Sequence, residues 1–195
     1  MDDNEILKRI KSGDAGAIRE IIKKYSAVVY NHARSFLRNE QEAEDVSQEV
    51  FININKNIKK FRGDSKLSTW IYRITVNACK NRLKQMKRHR ARLMEGDSGG
   101  NAEDNKLEKM AERIREKEEK EPDNLFYGNV LKEAIMKRIG ELPEEQKSVI
   151  ILRDIDGLAY DEIGSVLKIS VPAVKSKLFR ARESLREKLE KDGIL

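Results

Sequence analysis

The stretch YDEIGSVLKISVPAVKSKLFRAR, residues 160–182, decides the fold of the C-terminal part of this chain. Its first apolar residues recur at helical spacing and predict one short helix with an inward side made of Ile163, Val166 and Leu167. Residues 168–170 then leave room only for a tight connection. Ser170 can cap a second helix, and Pro172 is tolerated in the first turn of that helix. Two helices joined so closely are typical of a helix-turn-helix.

The second of these helices has two chemically different faces. Its apolar residues step by three or four and are predicted to face the core: Val171, Val174, Leu178, Ala181, Leu185 and Leu189. The opposite face is basic and polar, and it carries Lys175, Ser176, Lys177, Phe179, Arg180 and Arg182. A helix of this kind fits the major groove of DNA, where its early residues reach base edges. The motif therefore favours DNA binding over an amphipathic helix with a merely solvated basic face.

Individual roles on that face follow from side-chain chemistry. Arg180 can read a guanine with two hydrogen bonds, whereas Lys177 and Arg182 are expected to hold phosphates. Phe179 lies off the apolar stripe and can touch a thymine methyl group. An alternative role for Phe179 is to fill a gap in the core.

Composition limits the remaining possibilities. The 195 residues are 38% charged and 6% aromatic with a net charge of +6, which favours an anionic partner and two small helical units rather than one compact globule. Cys79 is the only cysteine, so neither an internal disulfide nor a cysteine-based zinc site is expected, and no cofactor is predicted. The first residues lack the apolar segment of a signal peptide, and no apolar run is long enough to span a bilayer. We expect a cytoplasmic protein.

Helical periodicity dominates the rest of the chain, so the predicted fold class is all-α. Helices are expected over 3–11, from Asp14 onward, over 40–58, and after a cap at Ser68 or Thr69. A polar, glycine-rich and mixed-charge stretch then predicts a flexible linker. The expected organisation is a helical domain at 1–94, a linker at 95–125 and a domain with the helix-turn-helix at 126–195. In that second domain Gly140 ends a helix, Pro143 lies in the first turn of the next, and Asp156-Gly157 ends that one.

At this point the chain resembles the extracytoplasmic-function (ECF) sigma factors of bacteria. Three stretches carry the resemblance in family order: AEDVSQEVFININ (43–55), FRGDSKLSTWIYRITVNACKNRL (61–83) and LPEEQKSVIILRDIDGLAYDEIGSVLKISVPAVKSKLFRAR (142–182). They are similar to the family's polymerase-binding helix, its promoter −10 segment and its −35-binding domain, respectively. The resemblance implies a sigma factor that binds core RNA polymerase and directs it to promoters by reading both elements and helping to open the DNA.

The resemblance also implies a set of partners. The first stretch would bind the beta-prime clamp of the polymerase through Asp45, Gln48, Glu49 and Phe51, because an acidic, partly apolar face suits a basic surface. Core packing is the alternative role for Phe51. The −35-binding domain would meet the beta flap. An anti-sigma factor is a further expected partner.

For the −10 element, the resemblance implies capture of a flipped base by the 61–67 loop and α-helical residues beyond it. The residues carried over are Phe61, Arg62, Gly63, Asp64, Ser65, Lys66, Asn77, Lys80 and Asn81. Asn77 can both donate and accept hydrogen bonds, Phe61 can wall a pocket, and Lys66, Lys80 and Arg82 can hold the strand backbone. Trp70 is expected to support the fold rather than to stack on a base.

The sequence departs from the family pattern at two places, and two other functional classes are possible. Ala159 stands where the family usually has Ser or Thr, so the cap of the first motif helix must come from elsewhere. Pro172-Ala173 replaces a Gly-Thr pair and removes one hydroxyl that could touch DNA.

A stand-alone helix-turn-helix regulator is the alternative function, but it leaves residues 40–83 unexplained. An enzyme is not expected, because neither a phosphate-binding glycine loop nor a nucleophile elbow is present.

Overall fold

The computed structural model describes residues 2–14, 16–94 and 124–195, and within these ranges the chain forms eight α-helices and no strand. The first four are α1 (Asp3–Lys11), α2 (Ala17–Leu37), α3 (Glu40–Asn57) and α4 (Leu67–Met94). A single 3-10 turn, Ile58–Lys60, follows α3. The others are α5 (Asn124–Glu141), α6 (Glu144–Ile150), α7 (Tyr160–Leu167) and α8 (Val171–Lys191). The all-α prediction is confirmed. Apart from its last two positions, which belong to α5, the predicted linker at 95–125 lies outside the described residues.

Local chemistry explains the start of α3 but not that of α4. The Asn39 side chain caps α3 by accepting a hydrogen bond from the backbone N–H of Glu42 at 3.0 Å. The predicted cap of α4 at Ser68 or Thr69 is wrong, since the helix already begins at Leu67. Burial of Leu67 at 3% exposure explains this earlier start, because the helix must include that residue to pack it into the core.

The first four helices form one group around α2. This helix buries Ala17, Ile21, Tyr25, Val29, His32, Ala33, Phe36 and Leu37. α3 covers one side of that stripe and α4 another, with α1 across the end. The Tyr25 hydroxyl donates a hydrogen bond to the Asp3 carboxylate at 2.7 Å and thereby ties α1 to α2. Burial and that hydrogen bond to Asp3 raise the pKa of Tyr25.

The second group consists of α5 to α8. Pro143, predicted in a first helical turn, is the residue immediately before α6. α6 continues into a π-helical turn, Ile151–Ile155, and the chain then reverses at Asp156 and Gly157, as predicted. Gly157 has φ +76°, a conformation that favours glycine. The core of this group includes Val149, Ile151, Leu152, Ile163 and Val174.

The two groups pack directly against each other, and their buried residues form one continuous core. At the centre of the contact His32 of α2 lies fully buried, with its Nδ1 atom 2.5 Å from Oδ2 of Asp156. The rings of Phe36 and Tyr72 surround His32, with centroids 6.1 Å and 5.9 Å away. Burial, followed by the charges of Asp156 and Glu162, raises the pKa of Tyr72. A polar contact therefore lies at the centre of the interface between the two groups.

The same interface buries a lysine at some energetic cost. Lys147 of α6 is 4% exposed, and its ammonium lies 5.4 Å from the centroid of the Phe36 ring. Burial, reinforced by the nearby charges of Lys87 and Arg38, lowers the pKa of Lys147 to about 8. The cost of burying a charge exceeds the cation–π attraction that partly offsets it.

We therefore expect Lys147→Met to raise the free energy of unfolding by roughly 1–2 kcal/mol at pH 7. The folded pKa is depressed, so the unfolded chain binds more protons between pH 8 and 10.5, and the wild type gains stability with pH across that window. The advantage of the variant should shrink over the same range. Urea denaturation at pH 7 and pH 10 measures both effects, with the exposed Lys132→Met as the control. If the free energy of unfolding depends on pH equally in both variants, the pKa of Lys147 is not lowered in the folded protein.

Candidate nucleic-acid interface

The helix-turn-helix predicted from residues 160–182 is present as α7 and α8. Lys168 takes a left-handed conformation with φ +57° at the end of α7, and the backbone N–H of Ile169 donates to the carbonyl of Gly164 at 3.0 Å. The Ser170 hydroxyl accepts a hydrogen bond from the backbone N–H of Ala173 at 3.4 Å, as predicted for the cap of α8. The missing cap at Ala159 is replaced by Glu162, whose carboxylate accepts from the Ala159 N–H at 3.1 Å.

Gly164 makes this tight turn possible. A Cβ atom at this position would lie 2.8 Å from the carbonyl oxygen of Ile169, which is backbone and cannot swing away. The glycine therefore permits the close approach of α7 to the turn. The sequence contains the signal, a glycine inside a helical pattern, but the reason for it is visible only in three dimensions.

The inner face of α8 agrees with the prediction except at its first position. Val174, Leu178, Ala181 and Leu189 are buried and Leu185 is partly buried. Val171 was predicted to face the core, but it is 36% exposed, because it lies at the first residue of α8, where the helix has just left the turn.

The outer face of α8 presents every residue predicted for it. Phe179 is 69% exposed, which excludes the core-filling alternative, and Arg180 is exposed beside it. Within residues 2–14, 16–94 and 124–195 no hydrogen bond or ion pair engages Arg180. Lys175 and Ser176 are also exposed, and the Lys175 ammonium lies 5.8 Å from the centroid of the Tyr160 ring.

Two cations at the edges of this face are paired within their own domain. Lys177 forms an ion pair with Glu145 of α6, and Arg182 forms one with Asp154 at 2.6 Å. The Lys177 ammonium lowers the pKa of the Glu145 carboxyl, and Asp154 raises the pKa of Arg182. These pairs fix the two cations on either side of Arg180 and Phe179.

The −10 candidates divide between a loop and one face of α4. Phe61 is buried and its ring centroid lies 5.4 Å from that of Trp70, so Trp70 supports the fold as expected. Asn77 lies one helical turn before Lys80 and Asn81 on α4, and both asparagines are exposed. The loop residues Arg62, Gly63, Asp64 and Lys66 are exposed, and Ser65 is partly exposed.

A cavity of about 670 Å³ lies beside this loop, and its lining includes residues that sequence reasoning missed. Besides Phe61, Arg62, Gly63, Ser65 and Lys66, the wall contains Asn4, Lys8 and Lys11 of α1. Helical periodicity predicted α1 but no function for it. Only the packing of α1 against the segment after α3 brings these polar side chains to the loop.

Arg82 faces away from the −10 candidates. Its guanidinium is 3.0 Å from Glu42 and 3.8 Å from Asp45, both on α3. It therefore joins α4 to the helix predicted to bind polymerase.

On α3 the polymerase candidates occupy one exposed face, with one exception. Gln48 and Glu49 are exposed, and Asp45 is partly exposed. Phe51 is partly buried and packs against the core, which agrees with its alternative role. The exposed apolar residue on this face is instead Ile52, at 55% exposure. The spacing 45, 48, 49, 52 is helical, so periodicity could have found it.

These features define a two-domain helical protein whose second domain carries a helix-turn-helix with an exposed basic face. The family model described as Sigma-70 region 2 matches residues 21–89, and that described as Sigma-70, region 4 matches residues 132–185. The RNA polymerase sigma-H factor of Pseudomonas aeruginosa is 31% identical over 188 residues, covering 96% of this chain and 94% of that protein. The ECF RNA polymerase sigma-E factor of Escherichia coli is also 31% identical, covering 97% and 95%.

The chain belongs to the ECF family of RNA polymerase sigma factors, proteins that direct the polymerase to promoters and are transcription initiation factors rather than enzymes. The region 2 match over residues 21–89 includes residues 40–83, which a stand-alone helix-turn-helix regulator leaves unexplained.

Solved structures show the same fold. CnrH, in complex with the cytosolic domain of CnrY, has a TM-score of 0.66 at 23% identity, covering 97% of this chain and 98% of that one. The sigma factor RpoE of Bartonella quintana, in complex with the anti-sigma factor NepR, has a TM-score of 0.60 at 18% identity, covering 88% and 96%. Among the helices described for this chain, none is long and apolar enough to cross a membrane.

We expect Gly164→Ala to destabilise the protein by roughly 1–3 kcal/mol, because the added methyl group meets the Ile169 carbonyl and the turn must shift. Gly128→Ala on α5 is the matched control, since no described atom lies within 4 Å of its Cβ position. That change should be neutral or stabilising, by about 0.5–1 kcal/mol. Thermal or urea unfolding measures both. If both changes alter the free energy of unfolding equally, the contact with the Ile169 carbonyl does not explain the effect at Gly164.

Proposed function

We propose that the outer face of α8 reads the −35 element, that the 61–66 loop and α4 hold the −10 strand, and that α3 binds core RNA polymerase. The observation that carries this proposal is the exposed pair Phe179 and Arg180 at the centre of the basic face of α8. A large apolar ring exposed to water next to an arginine without an ion pair costs solubility and adds nothing to the core. Such a pair is suited to contact base edges.

In the major groove Arg180 would donate two hydrogen bonds to a guanine, and Phe179 would contact a thymine methyl group. Lys177 and Arg182 flank this pair and would position the helix on phosphates, exchanging their partners Glu145 and Asp154 for DNA oxygens. Lys175 and Ser176 lie earlier on α8 and would contact the backbone or an adjacent base. The absence of a hydroxyl at Ala173 leaves these side chains to provide the specific contacts.

At the −10 element, the cavity beside the loop would receive a base flipped from the duplex. Its volume of about 670 Å³ is sufficient for a nucleobase, and Phe61 lies in its wall. Lys8 and Lys11 lie in the same wall together with Asp2 and Asp3, so this side of the cavity carries both positive and negative charge. Asn77 and Asn81, exposed one turn apart on α4, would read base edges next to the cavity, with Lys66 and Lys80 holding the strand.

For polymerase binding, Asp45, Gln48 and Glu49 would face the basic beta-prime clamp, and Ile52 would supply the apolar anchor that Phe51 does not. Acidic residues around one exposed apolar side chain combine electrostatic steering with a buried contact, the usual division of labour at protein interfaces. The α5–α8 group would meet the beta flap. Because the similar structures were solved with CnrY and NepR bound, we propose an anti-sigma partner for this chain too. Partners of this kind would place the chain in the cytoplasm.

The purified chain should direct core RNA polymerase to specific starts in a run-off assay on genomic fragments, and footprinting should reveal two protected elements. On such a promoter Arg180→Ala should weaken −35 binding by roughly 1–3 kcal/mol and relax discrimination at one base pair. Lys177→Ala, the matched control, should weaken binding to all sequences alike and reduce the salt dependence by about one charge. If the chain directs no start, the function fails; if both variants bind normally, only the recognition helix is misplaced.

Asn77→Ala should leave closed-complex binding unchanged while reducing strand opening, because the lost amide contacts act only on an unstacked base. Permanganate reactivity of −10 thymines measures opening, and footprinting of the −35 element measures binding. Ser26→Ala, an exposed change on α2 outside all proposed contacts, serves as the control. Normal opening by the Asn77 variant would remove this residue from the site.

A further inference from the structure

The C-terminal end of α4 carries a concentration of positive charge that the proposed sites do not use. From Lys80 to Arg92 the sequence KNRLKQMKRHRAR contains seven lysine or arginine residues and no acid. Leu83 and Met86 still pack against the core, but every residue from Lys87 to Arg92 is exposed. The last part of this helix therefore contributes nothing to the core.

The cations of α4 divide by position into a paired and an unpaired group. Those up to the middle of the helix contact the chain itself at distances of 2.6 to 3.6 Å: Arg73, Lys80 and Arg82. Those beyond Leu83 form no hydrogen bond or ion pair with any residue that the structure describes: Lys84, Lys87, Arg88, Arg90 and Arg92. The charge of the second group is therefore available to an anionic partner.

Three of the unpaired cations continue the face of α4 that is proposed to read the −10 element. Lys84, Arg88 and Arg92 follow Asn77 and Asn81 at steps of three and four residues. We call Lys84, Arg88 and Arg92 the basic stripe, whose successive members lie about 6 Å apart along the helix axis. The stripe is thus an extension of the proposed −10 face.

Helix stability does not explain the basic stripe. The helix macrodipole favours cations only in the last turn, whereas α4 continues to Met94, well beyond Lys84 and Arg88. Like charges four residues apart repel each other on a helix, so Arg88 destabilises α4 together with Lys84 and again with Arg92. An external anion that binds along the stripe relieves this repulsion.

The direction of the chain indicates which anion this is. From Met94 the chain continues towards the second domain, which is proposed to read the −35 element as duplex DNA. The DNA nearest to this end of α4 is therefore the duplex between the two elements. From Asn77 to Arg92 the helix spans about 22 Å, which corresponds to about six base pairs at 3.4 Å each.

We propose that the basic stripe binds the phosphates of duplex DNA immediately upstream of the −10 element, as a third promoter contact that is independent of base sequence. This inference rests on the proposed function of the −10 face. Each cation of the stripe neutralises a phosphate and reads no base. The contact holds the duplex at the boundary where the strands separate, while Asn77 and Asn81 take the single strand.

Arg88→Gln tests the contact in the full chain assembled with core RNA polymerase, on a promoter mapped by the run-off assay. Glutamine removes the charge and remains a good helix former. The loss of one phosphate contact should weaken promoter binding about 5-fold at 0.15 M salt and reduce the slope of log K against log salt by about 0.9.

Arg90→Gln is the matched control for this variant. Arg90 is an exposed arginine at the same end of α4, but it lies on the opposite face, because two further residues rotate a side chain by about 200°. This variant should retain the affinity and the salt slope of the unmodified chain. Equal losses in both variants would attribute the effect to net charge and overturn the inference.

Neutral methylphosphonate linkages across the six base pairs upstream of the −10 element test the position of the contact. The unmodified chain with core polymerase should bind this promoter more weakly than the natural one, and Arg88→Gln should cause no further loss on it. If Arg88→Gln weakens binding to both promoters by the same factor, the basic stripe does not contact these phosphates and the inference is wrong.

The same experiments separate this inference from the proposed function. If the chain directs core polymerase to no start, the proposed function fails and the inference built on it fails as well. If the chain directs specific starts and protects both elements, but Arg88→Gln binds the promoter as the unmodified chain does, the proposed function stands and the basic stripe alone is wrong.

Discussion

The buried contact between His32 and Asp156 is the interaction on which the arrangement of the two domains depends. The two residues lie 124 positions apart in sequence, and the Nδ1 atom of His32 lies 2.5 Å from Oδ2 of Asp156. The rings of Phe36 and Tyr72 pack beside His32. The Nδ1 atom of His32 has the Asp156 carboxylate as its partner, whereas no described group bonds the buried Nε2 atom. The contact at Nδ1 is therefore the one that replaces lost water for this ring. It therefore selects one way of docking the domains among the many that apolar surfaces alone would allow. The surface ion pairs around it can then form in register.

Several cations of this protein form ion pairs within the chain and are also proposed to contact DNA. Four of the cations predicted to contact DNA are paired with carboxylates in the chain: Lys66, Lys80, Lys177 and Arg182. Arg180 differs, since no described carboxylate engages it. Paired cations are shielded from nonspecific anions yet can exchange partners, because ion pairs near the surface are worth little in water. The cations proposed to hold phosphates are thus paired within the chain, whereas Arg180, proposed to read sequence, is left open.

The parts of the fold that could be predicted are those with a local cause. The helix-turn-helix follows from apolar spacing, the Ser170 cap and a connection too short for anything but a turn, and all three were confirmed. The α4 cap at Ser68 or Thr69 failed because burial of Leu67 overrides capping preference at that position. The polymerase candidate Phe51 packs inward while Ile52 is exposed, since a one-residue step on a helix rotates a side chain by about 100°.

The amino-acid order alone decided the helices, the basic face of α8 and the family, because each depends on neighbours within a few turns or on motifs in a set order. It could not reveal that the domains touch, that Glu162 and Glu144 pair with Lys66 and Lys80, or that α1 completes the cavity. Those features join residues that lie from about 50 to 124 positions apart in sequence. No periodicity or spacing encodes which distant carboxylate meets which lysine. Only the packed core, with His32 against Asp156 at its centre, brings them together.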